Sequence, residues 1–288
     1  ATLDVYTSAI AKLLPTPTKS HYTFNLRDVS RVVEGLTLQK AEGIKTGLGG
    51  VGEHYRLWVH EIMRVFYDRL VDDDDRSWIL AYLKELTEKR FGQDFNALFA
   101  HLDQDGDGEV DAEELRHCMF CDFMGGEDGE LETADAEGGD RLYDEVTDMT
   151  GIIARLEEYL TEYNGGSKTP MNLAMFLYAA EHISRVCRVL KQPGAHMLCV
   201  GVGGSGRQSL SRLATYIMGM GEAFQIAVSK SYTTAEWKED LKKFCRVAGG
   251  EGRPCVFLFS GLLVGVWYSW ILYEARPPFW TLPGSVCL

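Results

Sequence analysis

Glycines dominate residues 196–213, HMLCVGVGGSGRQSLSRL. An apolar run, 197–202, reads as a buried strand; it feeds a glycine turn, and Leu210, Leu213 and Ile217 then recur at helical spacing. Strand, turn and helix start in that order make an anion cradle, because bare backbone N–H groups and the positive end of the helix dipole converge on the turn. The phosphate-loop pattern G-x-x-x-x-G-K-[ST] is met at Gly201 and Gly206. Arg207 occupies the lysine position, Gln208 the hydroxyl position, and Ser209 brings a hydroxyl one residue late. Gly201, Gly203, Gly204, Ser205, Gly206, Arg207, Gln208 and Ser209 are the candidate nucleotide-binding residues. A guanidinium is a wide planar fork where the pattern wants a compact point charge, and Gln208 is a poor magnesium ligand. Phosphate binding is compatible with these changes; efficient hydrolysis is not expected. The same glycines also spell G-x-G-x-x-G, the dinucleotide fingerprint. That reading needs an acid about 20 residues on, but the next strand, 224–229, ends in Ser229-Lys230, so a nucleoside triphosphate or diphosphate is preferred. The bland alternative is a turn that binds nothing.

A second constellation is DQDGDGEVDAEE, residues 103–114. Asp103, Asp105 and Asp107 fill positions 1, 3 and 5 of a calcium loop, and Gly108 makes the sharp turn at 6. Glu109 offers its carbonyl at 7, Val110 is the apolar residue at 8, Asp111 binds through water at 9, and Glu114 supplies the bidentate carboxylate at 12. Calcium takes this many hard oxygens only from spaced carboxylates on a bendable loop. Phe95, Leu98, Phe99 and Leu102 form a helical apolar face before the loop, and Leu115, Cys118 and Met119 are expected to form one after it. Such hands usually work in pairs; no second loop is found, and 127–140 is acidic and glycine-rich without the spacing. An acidic surface loop is the bland alternative.

The elements that must position these loops follow from periodicity and caps. Helices are expected at 2–14, after Asn25, at about 54–70 and at 78–90, with the acidic run 72–75 favoured at a helix start. Long helical patterns cover 142–163 and 170–190, Pro170 serving as a first helical residue. Thr233 and Glu236 form a capping box, Trp237, Leu241, Phe244 and Cys245 line one face of that helix, and 254–260 is the next buried strand. A helical half thus precedes a β-α-β-α-β half, for which a parallel sheet is expected.

The 288 residues carry a net charge of −13. Residues 101–148 hold 18 Asp/Glu against 2 Lys/Arg, which fits a cation-binding or solvated segment and argues against nucleic acid. The chain starts at alanine and is expected to be a fragment. Seven cysteines without a signal peptide point to reduced thiols. Cys118 and Cys121 form C-x-x-C, but no second pair completes a zinc site, and two thiols on a helix face are preferred to a redox motif.

Several segments together resemble one family, the heavy chains of axonemal dynein, which are AAA+ motors. KSHYTFNLRDVSRVVEGL (19–36) and RLWVHEIMRVFYDRL (56–70) resemble the lid of the third AAA+ module. PMNLAMFLYAAEHISRVCRVLKQP (170–193) resembles the leading helix of the fourth. GVGGSGRQSLSRL is similar to that module's degenerate phosphate loop, and FQIAVSKSYTTAEWKEDLKK (224–243) to its second strand and helix. The resemblance covers about residues 1–260. It implies an α/β fold, a helical lid region followed by an incomplete AAA+ P-loop parallel sheet. The corresponding segments are a lid at 1–92, an EF-hand-like helix-loop-helix at 93–124, an acidic linker at 125–140, leading helices at 141–195, a truncated P-loop core at 196–260 and an apolar tail at 261–288. It further implies ATP-driven sliding along microtubules in the axoneme of cilia and flagella, ATP or ADP in the loop as a structural or regulatory ligand, and a main hydrolytic site in another module. Arg27 falls at the second sensor arginine of the third module, which touches a nucleotide phosphate. Implied partners are the other AAA+ modules of the heavy chain, dynein intermediate and light chains, and microtubules.

Two departures bear on function. The calcium-like loop occupies a connector where the family usually has none of this form. After Ser260 the family continues into the aspartate of the magnesium-binding carboxylates, whereas position 261 is glycine, so this chain alone is not expected to hydrolyse ATP. Residues 255–273 are 19 residues without a charge, close to the ~20 of a membrane span. Their first residues are already needed as the core strand, so 261–288 is expected to be foreign to the fold, for instance a misjoined segment, rather than an anchor. The competing functions are therefore a motor-ring fragment, a calcium-binding regulatory protein, a membrane-anchored protein and a dinucleotide enzyme, in that order.

Overall fold

The computed structural model describes residues 1–39, 50–124, 141–194, 196–226, 232–259 and 285–287. The acidic linker expected at 125–140 falls outside them altogether. The chain divides into two compact units: Ala1–Asp122 with Arg141–Met149, and Phe123–Asp140 with Thr150–Leu288.

The first unit is helical. Helices α1 (Thr2–Lys12), α2 (Leu26–Leu36), α3 (Gly50–Val65) and α4 (Asp73–Leu86) pack around Leu57, Ile62, Phe66, Ile79 and Leu83, none of them more than marginally exposed. The segment resembling a lid explains itself here. Lys19 donates to Asp75 at 2.6 Å and pairs with Asp72, the residue preceding α4. Tyr22 donates its hydroxyl to Asp75 at 3.1 Å and accepts the Val71 N–H at 2.9 Å. Phe24 stacks on Phe66, Asn25 and Asp28 close a capping box on α2, and Asp28 pairs with Arg69. The acidic run is thus both a helix start and the anchor for Lys19.

A one-turn helix, α5 (Phe95–Leu98), leads into the acidic loop. The loop is followed by a single 3-10 turn, Glu114–His117, and then by β1 (Phe120–Cys121), which pairs antiparallel with β2 (Asp144–Glu145). The expected helix after the loop is therefore one turn long, and Cys118 and Cys121 lie on extended chain. Burial of Cys118, Met119, Phe120, Cys121, Asp122 and Phe123 in succession favours extended chain over a one-faced helix. Burial pushes the Cys118 thiol far above its ordinary range, which suits an inert buried thiol rather than a reactive one.

The second unit begins with α6 (Met149–Gly166), α7 (Leu177–Lys191) and α8 (Arg207–Ile217) and ends with α9 (Thr234–Cys245). The helices predicted from 142 and from 170 start seven residues late in each case. Residues 144–145 are drawn into the β1 pairing instead. Pro170 stays outside α7 because the Asn164 side chain brackets Met171, donating to its carbonyl and accepting its N–H. Strands β3 (Phe224–Gln225), β4 (Cys255–Leu258) and β5 (Ser285–Cys287) form a parallel sheet in that order. Phe224, Trp237, Phe244 and Phe257 pack on its face. The fold class is thus the α/β one expected. Part of the tail expected to be foreign, Ser285–Cys287, adds a strand on the exposed hydrogen-bonding edge of β4. The run 255–258 is a fully buried strand, and among the described residues no helix is long and apolar enough to cross a membrane.

Candidate functional site

The phosphate-type loop lies in the second unit. Gly204 and Gly206 adopt positive φ, 81° and 76°, a conformation only glycine takes without strain. Gly206 is the residue preceding α8, and no side chain caps that helix start, so the first-turn N–H groups face outward from the loop. Residues 201–205 are exposed. α8 is held by α7 through Leu213, Ala214 and Ile217, all fully buried.

Two side chains depart from what the sequence suggests. Arg207 does not project forward: its guanidinium folds back and donates to the carbonyls of Cys199 at 3.3 Å and Val202 at 2.9 Å, tying the loop to its own leading segment. Gln208, at the hydroxyl position, accepts from Gln225 of β3 at 3.3 Å, and Gln225 in turn pairs with Arg212. Gln225 was not foreseen; its only signal is its place at the end of a strand beside the loop. The predicted buried strand at 197–202 is not in the sheet. Leu198, Val200 and Val202 are 87, 83 and 78 % exposed. A strand of this kind is buried only when neighbours flank it on both sides, and β3-β4-β5 does not include it.

The acidic loop lies in the first unit and is organised by its own backbone. Asp103 accepts the N–H groups of Gly106 at 2.6 Å and Gly108 at 3.1 Å, Asp105 that of Asp107, and Asp107 that of Glu109. Gly106 and Gly108 make the turns at φ 74° and 82°. Glu114 reaches back over the loop to accept from Gln104 at 2.8 Å and Asp111 at 3.1 Å, while the Asp111 side chain accepts the Glu114 N–H. Carboxylate oxygens of Asp103, Asp105 and Glu114 lie within 4.8 Å of one another. A cation that takes oxygens at about 2.4 Å fits between oxygens so spaced, so the donor set suits calcium. Val110 is buried and donates its N–H to the Asn96 side chain at 3.2 Å.

Beside the loop is a network that the sequence does not reveal. Arg56 of α3 makes a bidentate pair with Glu145 at 2.6–2.9 Å, and His101 reaches the same carboxylate at 3.3 Å. Burial alone would raise the Glu145 pKa; the bonds from His101 and Arg56 outweigh it and hold the group below its ordinary value. Glu53 is pushed up to about 7, first by burial, then by a hydrogen bond with Asp144 and by the charge of Glu145. Arg27 is placed in the first turn of α2 with its side chain exposed. It belongs to a different unit from the glycine loop.

Comparison with known proteins covers the segments that hold both loops. The family described as P-loop containing dynein motor region D4 matches residues 171–264, the AAA+ lid domain residues 1–100 and the EF-hand domain residues 94–125. The chain is 44 % identical to mouse (Mus musculus) dynein axonemal heavy chain 3 over 260 residues, 90 % of this chain and 6 % of that one. It is 46 % identical to human (Homo sapiens) dynein axonemal heavy chain 12 over 248 residues, 85 % of this chain and 8 % of the relative. Mouse dynein axonemal heavy chain 1 is 38 % identical over 261 residues, 90 % of this chain and 5 % of its own. The chain therefore spans less than a tenth of the length of these relatives.

Proposed function

The chain belongs to the axonemal dynein heavy chain family, and from that premise we propose that it is a segment of the motor ring running from the lid of the third AAA+ module into the fourth. Its place is the axoneme of a cilium or flagellum, where the whole heavy chain slides along microtubules with ATP as fuel. The other AAA+ modules, the intermediate and light chains and the microtubule are partners of that whole protein. Within this segment the loop of Gly201, Gly203, Gly204, Ser205, Gly206, Arg207, Gln208 and Ser209 holds ATP or ADP. The observation that carries this reading is the uncapped start of α8 behind two left-handed glycines, inside the stretch that matches dynein region D4.

The residues of this loop bind and do not turn over. The backbone N–H groups at Gly206–Ser209 take the phosphates, and Arg207 must leave the Cys199 and Val202 carbonyls to add its charge. Gln208 is engaged with Gln225 and offers no hydroxyl to magnesium. Position 261, after the β4 strand, is glycine and offers no carboxylate to orient water. Arg27 acts toward the nucleotide of the preceding module. Calcium is the second ligand, held by Asp103, Asp105, Asp107, the Glu109 carbonyl, Asp111 through water and Glu114; when bound it supplies one compact divalent charge that draws these oxygens together.

The test is titration of the whole chain with a fluorescent ATP analogue alongside a phosphate-release assay. Saturable binding with release no faster than the buffer blank is expected. Absence of binding, or release that scales with protein, contradicts the reading.

A further inference from the structure

The calcium reading leaves open what the ion does, and the surroundings of the loop decide between two roles. A sensor hand opens on binding calcium and exposes an apolar groove between two long helices. This hand has no such helices: α5 is one turn and the following turn is 3-10. Its apolar side chains are already committed to a core. Phe95, Phe99, Leu102, Val110, Leu115 and Cys118 are all buried, and they belong to the same core as Val32 of α2, Leu57 and Ile62 of α3 and Ile79 and Leu83 of α4.

Both ends of the loop are fastened to the lid. Before it, His101 reaches Glu145, which Arg56 of α3 grips from the other side. After it, β1 pairs with β2, the strand that carries Glu145, and Val146 donates to Met119 at 2.8 Å. At the centre, the buried Val110 N–H needs a partner, and Asn96 of α5 supplies it, so the hand is complete without a second hand.

We infer that calcium in this loop is a structural lock on the lid: its binding energy goes into the stability of α2, α3 and α4, not into opening a surface for a partner. This rests on the proposal that residues 103–114 bind calcium. Drawing Asp103 and Glu114 onto one ion fixes the two ends of the loop, and those ends are continuous with core residues on α3 and α4. By linkage, whatever tightens the folded lid tightens calcium, and the reverse.

The experiment uses the whole chain with CaCl₂ or with chelator, and reads calorimetric binding, amide hydrogen exchange and the fluorescence of an apolar dye. The lock predicts that saturating calcium slows exchange at the centre of α3 (57–62) and in α4 (79–86) at least ten-fold, while dye fluorescence stays flat or falls. Glu114→Gln, which removes the bidentate carboxylate, should abolish the slowing that calcium brings. Calcium that binds but leaves α3 and α4 unprotected, or that raises dye fluorescence, overturns the lock alone. No binding heat at millimolar CaCl₂ overturns the calcium reading and the lock with it.

Discussion

At the scale of single residues, Arg207 shows how a charge can be present in a phosphate loop and yet be turned away from it. Its two donors engage Cys199 and Val202, and releasing them costs on the order of 1 kcal/mol per bond. Lysine, a compact charge on a flexible stem, has no comparable fork to hold back. Arg207→Lys is therefore expected to lower the Kd for a fluorescent ATP analogue about ten-fold; an unchanged or weaker Kd contradicts the account. Glu53 sets a second expectation. Its ordinary value is 4.5, and it is raised to about 7 by burial and by Asp144 and Glu145, with Arg56 opposing. Gln39 donates to it at 2.9 Å, and His54 reaches Gln39 in turn. The folded unit thus binds this proton more tightly than the unfolded chain. That stability is fully present below pH 4.5 and is lost as pH rises toward about 7. Urea melts of the first unit across this window should show the midpoint falling with pH, and Glu53→Gln should flatten the slope.

At the scale of elements, the lid depends on how α2 meets its neighbours. Tyr22 is almost fully buried, and its hydroxyl joins Asp75 to the Val71 N–H. Tyr22→Phe keeps the ring and removes both bonds, so a loss of about 1–2 kcal/mol in urea denaturation is expected. Gly35 is more demanding. A Cβ there would come within 1.7 Å of the Glu61 carboxylate, which is wholly buried on α3. Gly35→Ala must therefore separate α2 from α3 or move the buried Glu61 carboxyl group. A cost at or above the 1–3 kcal/mol typical of overpacking is expected, against the slight gain alanine brings to an ordinary helix interior. A neutral Gly35→Ala variant shows that the two helices have slack at this point.

At the scale of the whole molecule, the two proposed ligand sites fall in separate compact units. The first unit holds the acidic loop and the second the glycine loop. A ligand that binds only the folded form stabilises it by about 2.7 kcal/mol at a hundred times its Kd. Calorimetric melting is expected to show two transitions, with CaCl₂ raising the one lost first in a Leu83→Ala variant and ATP raising the other. One transition moved equally by both ligands contradicts independent units.

Much of this was written in local sequence. Asn25 with Asp28 and Thr233 with Glu236 fold as capping boxes because a cap needs only residues three apart. The glycines of both loops are readable for the same reason: a positive φ is a property of one residue. The family, too, was legible, since it rests on runs of contiguous residues. What the sequence could not settle depends on partners far along the chain. Arg56 and Glu145 lie 89 residues apart, and no spacing announces such a pair. The helix expected after the acidic loop gave way to β1 because β2, more than twenty residues on, offers it a ladder. The run 197–202 has strand composition, yet among the described residues it pairs with no strand, because a parallel strand is decided by its neighbours and not by its own residues. The apolar residues flanking the acidic loop told the same half-story: their hydrophobicity foretold burial, but only the tertiary core decided that they close on the helices of the first unit.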